Sequence, residues 1–234
     1  MGKDRGRDVL PDEPGSDADT GFGGVNNVRQ MVRGFEAAGV AGMFISDQVF
    51  PNRCGYLPGK QVIPVEQMLA KVKAALDARR DPDLYIAART DAAGVTSVDD
   101  AIARCQLFME AGADMAKPMG LDTIPEIKRA LREIPCPHMA TLSQAAGPKA
   151  RSLKDLEDAG VVAATFPSVA LFAAANAVRD VLRLLKTSDT LAPCQPHLIP
   201  LEDYYGLVGL KSLLAREEAY DQAAAALVQK RAAE

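Results

Sequence analysis

The chain has no tryptophan, and aromatic residues make up only 5% of its 234 positions. Single strands of nucleic acid are gripped largely by stacking bases on aromatic rings, so that class of partner is excluded. There is no excess of positive charge either. The formal net charge of −4 gives no electrostatic case for binding a phosphate backbone or an anionic membrane surface. No apolar run approaches the ~20 residues that cross a bilayer. The opening segment, Met1 to Asp8, is charged and lacks the apolar stretch of a secretory signal. Cysteine is sparse and scattered: Cys54, Cys105, Cys136 and Cys194 form no Cys-x-x-Cys pair. That spacing argues against a zinc site or a disulfide framework and for a reducing setting, cytoplasmic or an organellar matrix. Only two histidines occur, His138 and His197, both far in sequence from Cys54. At this length one domain is expected, spanning residues 1–234 with a C-terminal helical extension.

What the chain does have is a repeated strand–helix unit. Apolar strand-like runs fall at about 40–46, 83–88, 113–117, 136–142 and 161–166. Between the first of them, Val28, Met31, Val32 and Phe35 recur at helical spacing, as do Met68, Leu69, Val72 and Leu76. Ser97, Thr123 and Ser152 each stand three residues ahead of a carboxylate, the pattern of a helix start. Gly39, Gly112 and Gly160 each follow an alanine and lead into a strand, where glycine supplies the left-handed turn that ends a helix. Such alternation predicts a parallel sheet, either an open doubly wound sheet or a (β/α)8 barrel. Ahead of Asp17 the residues are Pro11-Asp12-Glu13-Pro14-Gly15-Ser16, which do not read as a core strand. A long apolar helix is expected from Ser168 to Leu185, and further short helices beyond it.

Three strand ends carry chemistry. Asp17-Ala18-Asp19 precedes the glycine-rich Thr20-Gly21-Phe22-Gly23-Gly24, and in an extended segment its two carboxylates share a face that suits a hard cation such as Mg²⁺. A solvated loop is the plainer reading of so short a motif. Asp47 closes the strand Val40–Ile45 and opens a loop that runs through Arg53-Cys54-Gly55-Tyr56 to Gly59-Lys60. Asp47 reads equally as a site acid or as a turn cap. Cys54 beside a cation can act as an acid or a nucleophile, whereas most lone cysteines are small buried hydrophobes. Arg89-Thr90-Asp91 closes the next strand, where a guanidinium suits a two-pronged grip on a carboxylate or a structural ion pair with Asp91 or Asp47.

These three motifs, in this order, resemble the isocitrate lyase/phosphoenolpyruvate mutase superfamily, and most of all its 2-methylisocitrate lyase and dimethylmalate lyase-like branch. The resemblance runs from about residue 17 to about residue 215. It implies an α/β fold of the (β/α)8 TIM-barrel type, incomplete at the N-terminus with about six of eight strands present. It also implies a homo-oligomer (a tetramer in the family), a Mg²⁺ cofactor and a small carboxylate substrate. By position, Asp17, Asp19 and Asp47 would form the metal shell, with Asp17 also touching the substrate. Arg89 would bind the substrate carboxylate or enolate oxygen, Gly55 would adjoin the substrate, and Cys54 would be the acid that protonates the released carbanion. The expected activity is Mg²⁺-dependent carbon–carbon cleavage of a small 2-hydroxy or 2-oxo di- or tricarboxylate through an enolate. Alternatives are a binding or oligomerising homologue without turnover, and phosphonate mutase or hydrolase or oxaloacetate hydrolase or decarboxylase chemistry. The chain departs from the family pattern at Ser46 and Met119, where glutamates are usual. It departs again at Asn52, Tyr56 and Thr141, which stand for lysine, histidine and asparagine.

Overall fold

A computed structural model of the chain describes residues 15–143 and 151–232. The chain divides into two compact units, one ending at Val169 and the other beginning at Ala170. In the first, strands β1 (Gly15–Asp17), β2 (Gly42–Ser46), β3 (Tyr85–Thr90) and β4 (Met115–Pro118) form one parallel sheet in that order. Strands β5 (Met139–Thr141) and β6 (Ala163–Thr165) pair in parallel as a second ladder. Helices α1 (Val25–Ala37), α2 (Val65–Ala78), α3 (Val98–Glu110), α4 (Ile124–Glu133) and α5 (Leu153–Ala159) alternate with the strands. This is the α/β, TIM-barrel-type architecture, with six strands among the described residues.

The reasons lie in the sequence. Parallel strands covered on both faces need continuous apolar runs. Met43, Ile45, Ile86, Ala88, Met115 and Ala116 supply them, all buried. The helical stripes close over the strands, with Val28, Met31 and Val32 of α1 and Met68 and Val72 of α2 in the same core. Ser97 caps α3 by accepting from the Asp100 N–H, and Thr123 with Glu126 and Ser152 with Asp155 form reciprocal capping boxes. Gly39, Gly112 and Gly160 all take positive φ where helices give way to strands.

Two details differ from the sequence reading. A strand does precede Ala18: Gly15–Asp17 pairs with Gly42–Phe44, because only three residues are needed to continue a register that β2 already sets. Positions 11–14 lie outside the described residues. β5 is shorter than expected, starting at Met139, and Pro137 just before it has no N–H to give a ladder. Cys136 instead turns its thiol to the backbone of Ala116 in β4.

The second unit comprises α6 (Val169–Ser188), a 3-10 turn over Ala192–His197, α7 (Leu201–Leu207) and α8 (Leu210–Ala232). Within it the Cys194 thiol donates to the Val181 carbonyl. Neither α6 nor α8 buries a residue, and Leu171, Val178, Leu182, Leu227 and Val228 are exposed. Among the described residues no helix is long and apolar enough to cross a membrane.

Gly42 is where β2 and β3 come closest to being over-packed. A Cβ there would lie 2.9 Å from the Tyr85 Cβ and 3.1 Å from the Tyr85 carbonyl oxygen. Gly42→Ala should therefore cost about 1–3 kcal/mol in urea denaturation. Gly34→Ala, exposed inside α1 with nothing within 4 Å of its Cβ, should instead leave stability unchanged or raise it by up to about 1 kcal/mol.

Candidate active site

In parallel α/β folds, site residues gather at the carboxyl ends of strands. Here β1 ends on Asp17, whose carboxylate accepts the Asp19 N–H at 2.9 Å. Asp19 adopts φ 52, a left-handed conformation that a short polar side chain tolerates. Its carbonyl accepts the Ser46 N–H at 2.7 Å, which stitches the turn onto the end of β2. Lys71 of α2 donates to the Thr20 carbonyl at 2.8 Å, and burial, partly offset by Asp19, lowers its ammonium pKa. The two acids thus stand on one rigid turn, and Asp19 Oδ1 is buried with no hydrogen-bond partner.

Asp47 is placed differently. It is fully buried and its carboxylate accepts from Thr90 Oγ1 at 2.6 Å, the Asp91 N–H at 3.1 Å and Arg104 Nη1 at 3.2 Å. Arg104 reaches it from α3 and also donates to the Ile63 carbonyl. Burial raises the Asp47 pKa, against the pull of these donors. The side chain ties the ends of β2 and β3 to α3, the capping role that sequence allowed.

The next link is Asp91, also fully buried. It grips Arg89 through Nε at 2.9 Å and Nη2 at 3.2 Å, and accepts from Lys60 Nζ at 3.3 Å. Lys60 in turn donates to the Gly55 carbonyl. The structural alternative for Arg89, an ion pair with Asp91, is therefore realised, and it fixes the guanidinium at the strand end. The loop after β2 closes on it. The Gln48 amide exchanges two 2.9 Å hydrogen bonds with the backbone of Arg53, and the Cys54 carbonyl accepts the Leu57 N–H. Gly55 packs so closely that a Cβ would lie 3.3 Å from Arg89 Nη2. Cys54 itself is exposed.

These pieces line one cleft of about 430 Å³. It brings together Asp17, Asp19, Cys54, Gly55 and Arg89 but not Asp47, and no histidine is among its described lining residues. Sequence reasoning missed Lys117, at the end of β4, although the same strand-end rule that picked Arg89 would have found it. Lys117 is buried, with Nζ 5.1 Å from the Phe44 ring centre. Burial and then Arg89 hold its pKa down to about 8, while Asp17 and Asp91 pull it back up.

Among the described residues no three acidic, histidine or cysteine side chains cluster as a metal cage. Mg²⁺, however, commonly takes only one or two carboxylates and completes its shell with water and substrate oxygens. Asp17 and Asp19, one of them with an orphaned buried oxygen, fit that demand.

Residues 15–186 match the family of phosphoenolpyruvate phosphomutase. The chain belongs to the phosphoenolpyruvate mutase/isocitrate lyase superfamily. It is 34% identical over 205 residues to 2,3-dimethylmalate lyase of Eubacterium barkeri, covering 88% of this chain and 71% of that protein. It is 37% identical over 193 residues to 2-methylisocitrate lyase of Aeropyrum pernix, covering 82% and 62%. It thus spans about three fifths to seven tenths of these relatives' lengths. A solved phosphonopyruvate hydrolase, complexed with oxalate and Mg²⁺, superposes with a TM-score of 0.74 at 27% identity, over 88% of this chain and 72% of that one. Of the departures from the superfamily pattern, Asn52, Tyr56, Met119 and Thr141 line the cleft. Ser46 does not line it; it is buried and accepts the Gln48 N–H at 3.2 Å. Asn52 Oδ1 is buried without a partner, and Thr141 Oγ1 lies 3.2 Å from Thr165 Oγ1.

His138, at the entry to β5, is buried, and burial followed by the charges of Lys117 and Arg151 pushes its pKa down to about 4. The unfolded chain protonates near pH 6.5, so the neutral buried ring contributes stability that is complete above that value and lost as pH falls toward 4. The whole effect is roughly 3 kcal/mol, of which about 2 kcal/mol is gone by pH 5. Urea midpoints taken at about pH 7 and pH 5 should fall further for wild type than for His138→Asn; equal falls would contradict the assignment.

Proposed function

We propose that this chain cleaves a carbon–carbon bond of a small 2-hydroxy or 2-oxo di- or tricarboxylate, releasing a 2-oxo acid. The observation that carries the reading is the convergence of Asp17, Asp19, Arg89 and Cys54 on one cleft roofed by the loop after β2. The lyases among its relatives, named for 2,3-dimethylmalate and 2-methylisocitrate, support this class of reaction.

The residues divide the work by charge. Arg89, held flat by Asp91, presents a fixed cation to the carboxylate end of the substrate. Asp17 and Asp19 would hold Mg²⁺, which supplies Lewis-acid stabilisation of the oxygen charge that develops as the bond breaks. Lys117, buried in the lining of the same cleft, adds a second cation to stabilise an oxyanion. The 2-hydroxyl passes its proton to water in the cleft, and its oxygen becomes the carbonyl of the released 2-oxo acid as the C–C bond breaks. The electron pair of that bond stays on the carbon next to the departing carboxylate. The Cys54 S–H, carried by the loop, gives that carbon its proton. Gly55 and Lys60 tether the loop that carries this exposed thiol beside the cleft. Asp47 holds the scaffold under the site. The same reading makes the protein a cytoplasmic homo-oligomer, to which the exposed apolar residues of α6 and α8 are suited.

A second reading, ligand binding without turnover, is favoured by the uncharged Ser46 and Met119 in and below the cleft. Calorimetry and an activity assay separate the two. Oxalate with Mg²⁺ should bind wild type, and Asp17→Ala should weaken that binding by about 100-fold. Pyruvate release from 2-methylisocitrate should fall at least 100-fold in Cys54→Ser. Oxalate binding with no release from any related acid would favour the binding protein, and activity indifferent to Cys54 would remove the thiol from the mechanism.

A further inference from the structure

Beside the cleft lies a second cavity of about 380 Å³, between the loop after β4 and the start of β5. The two share Gly55, Tyr56, Lys117, Met119 and Thr141, so they are neighbouring rooms with Lys117 at the wall between them. The second room is cationic. Lys117 makes no hydrogen bond or ion pair among the described residues beyond its contact with the Phe44 ring. Arg151 spends one nitrogen on the Leu121 carbonyl, while its Nε is buried with no partner. Lys60 is already satisfied by Asp91 and Gly55, and the one acid in the lining, Asp122, is exposed at the rim. Lys117 feels Asp17 and Asp91 but is bonded to neither, and an anion in this room would accept hydrogen bonds from it and from the orphaned Arg151 Nε at once.

We propose that this cavity is a second anion subsite, in which Arg151 and Lys117 hold the far carboxylate of a substrate whose 2-oxo acid end occupies the cleft. The occupant rests on the function proposed above; the cavity and its cations do not. His138 fits the arrangement: burial first, and then the charges of Lys117 and Arg151, lower its pKa and leave the ring neutral. A neutral imidazole adds no charge and can still hydrogen-bond an anion. The subsite selects for reach: an acid the size of pyruvate fills only the cleft, whereas one with a second carboxylate two or three carbons away spans both rooms.

The test uses the full chain with Mg²⁺ and three probes by calorimetry: pyruvate, 2-oxoglutarate and glutarate. 2-Oxoglutarate should bind about tenfold or more tighter than pyruvate, as expected for one added charge-assisted hydrogen-bonded pair. Arg151→Met should remove that advantage and leave pyruvate affinity within about twofold, while Arg151→Lys should keep most of it. Urea midpoints for both variants identify any loss of fold, and in that case Arg151→Lys carries the comparison. Equal affinities for the two oxo acids, or an advantage that survives Arg151→Met, would overturn the subsite. If pyruvate fails to bind but glutarate binds in an Arg151-dependent way, the subsite stands and the 2-oxo acid reading of the cleft falls. If none of the three binds, both fall.

Discussion

One buried carboxylate holds this site together. Asp47 accepts from Thr90, from the backbone of Asp91 and from Arg104, and so binds two strand ends to a helix. Everything chemical is built outward from that knot. Asp91, placed by its own N–H on Asp47, aims its side chain at Arg89 and Lys60, and Lys60 pulls in the loop at Gly55. Breaking a buried pair of this kind by removing one partner typically costs about 3–5 kcal/mol, because the other charge is left stranded. The arrangement therefore contributes position more than net stability. Arg89 cannot swing away while Asp91 holds two of its nitrogens, and Cys54 shares the rigidity of the loop that carries it.

The electrostatic character of the cleft follows from the same knot. Asp91 pairs with both Arg89 and Lys60 and offsets one of their two charges, while Asp17 and Asp19 stand on a separate turn. Lys117 has no hydrogen-bond or ion-pair partner among the described residues. Burial and Arg89 press it toward neutrality, while its acidic neighbours keep it in play. A cleft lined by both acids and cations suits a substrate with an oxygen to be polarised and a carboxylate to be held. It suits a wholly apolar ligand poorly.

Much of this was legible in the chain. The helical stripes of Val28, Met31 and Val32, the caps at Ser97, Thr123 and Ser152, and the left-handed glycines are local signals, and local physics decides them. The strand-end rule singles out Asp17 and Arg89, the glycine-flanked loop singles out Cys54, and the fold brings all three to one cleft. The rule could not distinguish Asp47 from them, because which way a strand-end carboxylate faces depends on Arg104, 57 residues on. Lys117 and Arg151 stayed invisible for a related reason. A lysine in a sequence reads as surface by default, and only the packing of β4 against Phe44 and His138 makes this one buried. The short strand β1 was read as a loop from its glycine and flanking proline, and only its register against Gly42–Phe44 makes it a strand.

The central claim is that Asp91, through Lys60, seats the loop over the ligand site. Lys60→Met tests it most directly, because among the described residues Lys60 Nζ bonds only Asp91 and Gly55. Oxalate affinity measured by calorimetry should fall about 10-fold or more in a protein that still unfolds in one cooperative urea transition, at a lower midpoint because a buried ion pair is lost. An unchanged oxalate affinity in a folded Lys60→Met protein would contradict the account.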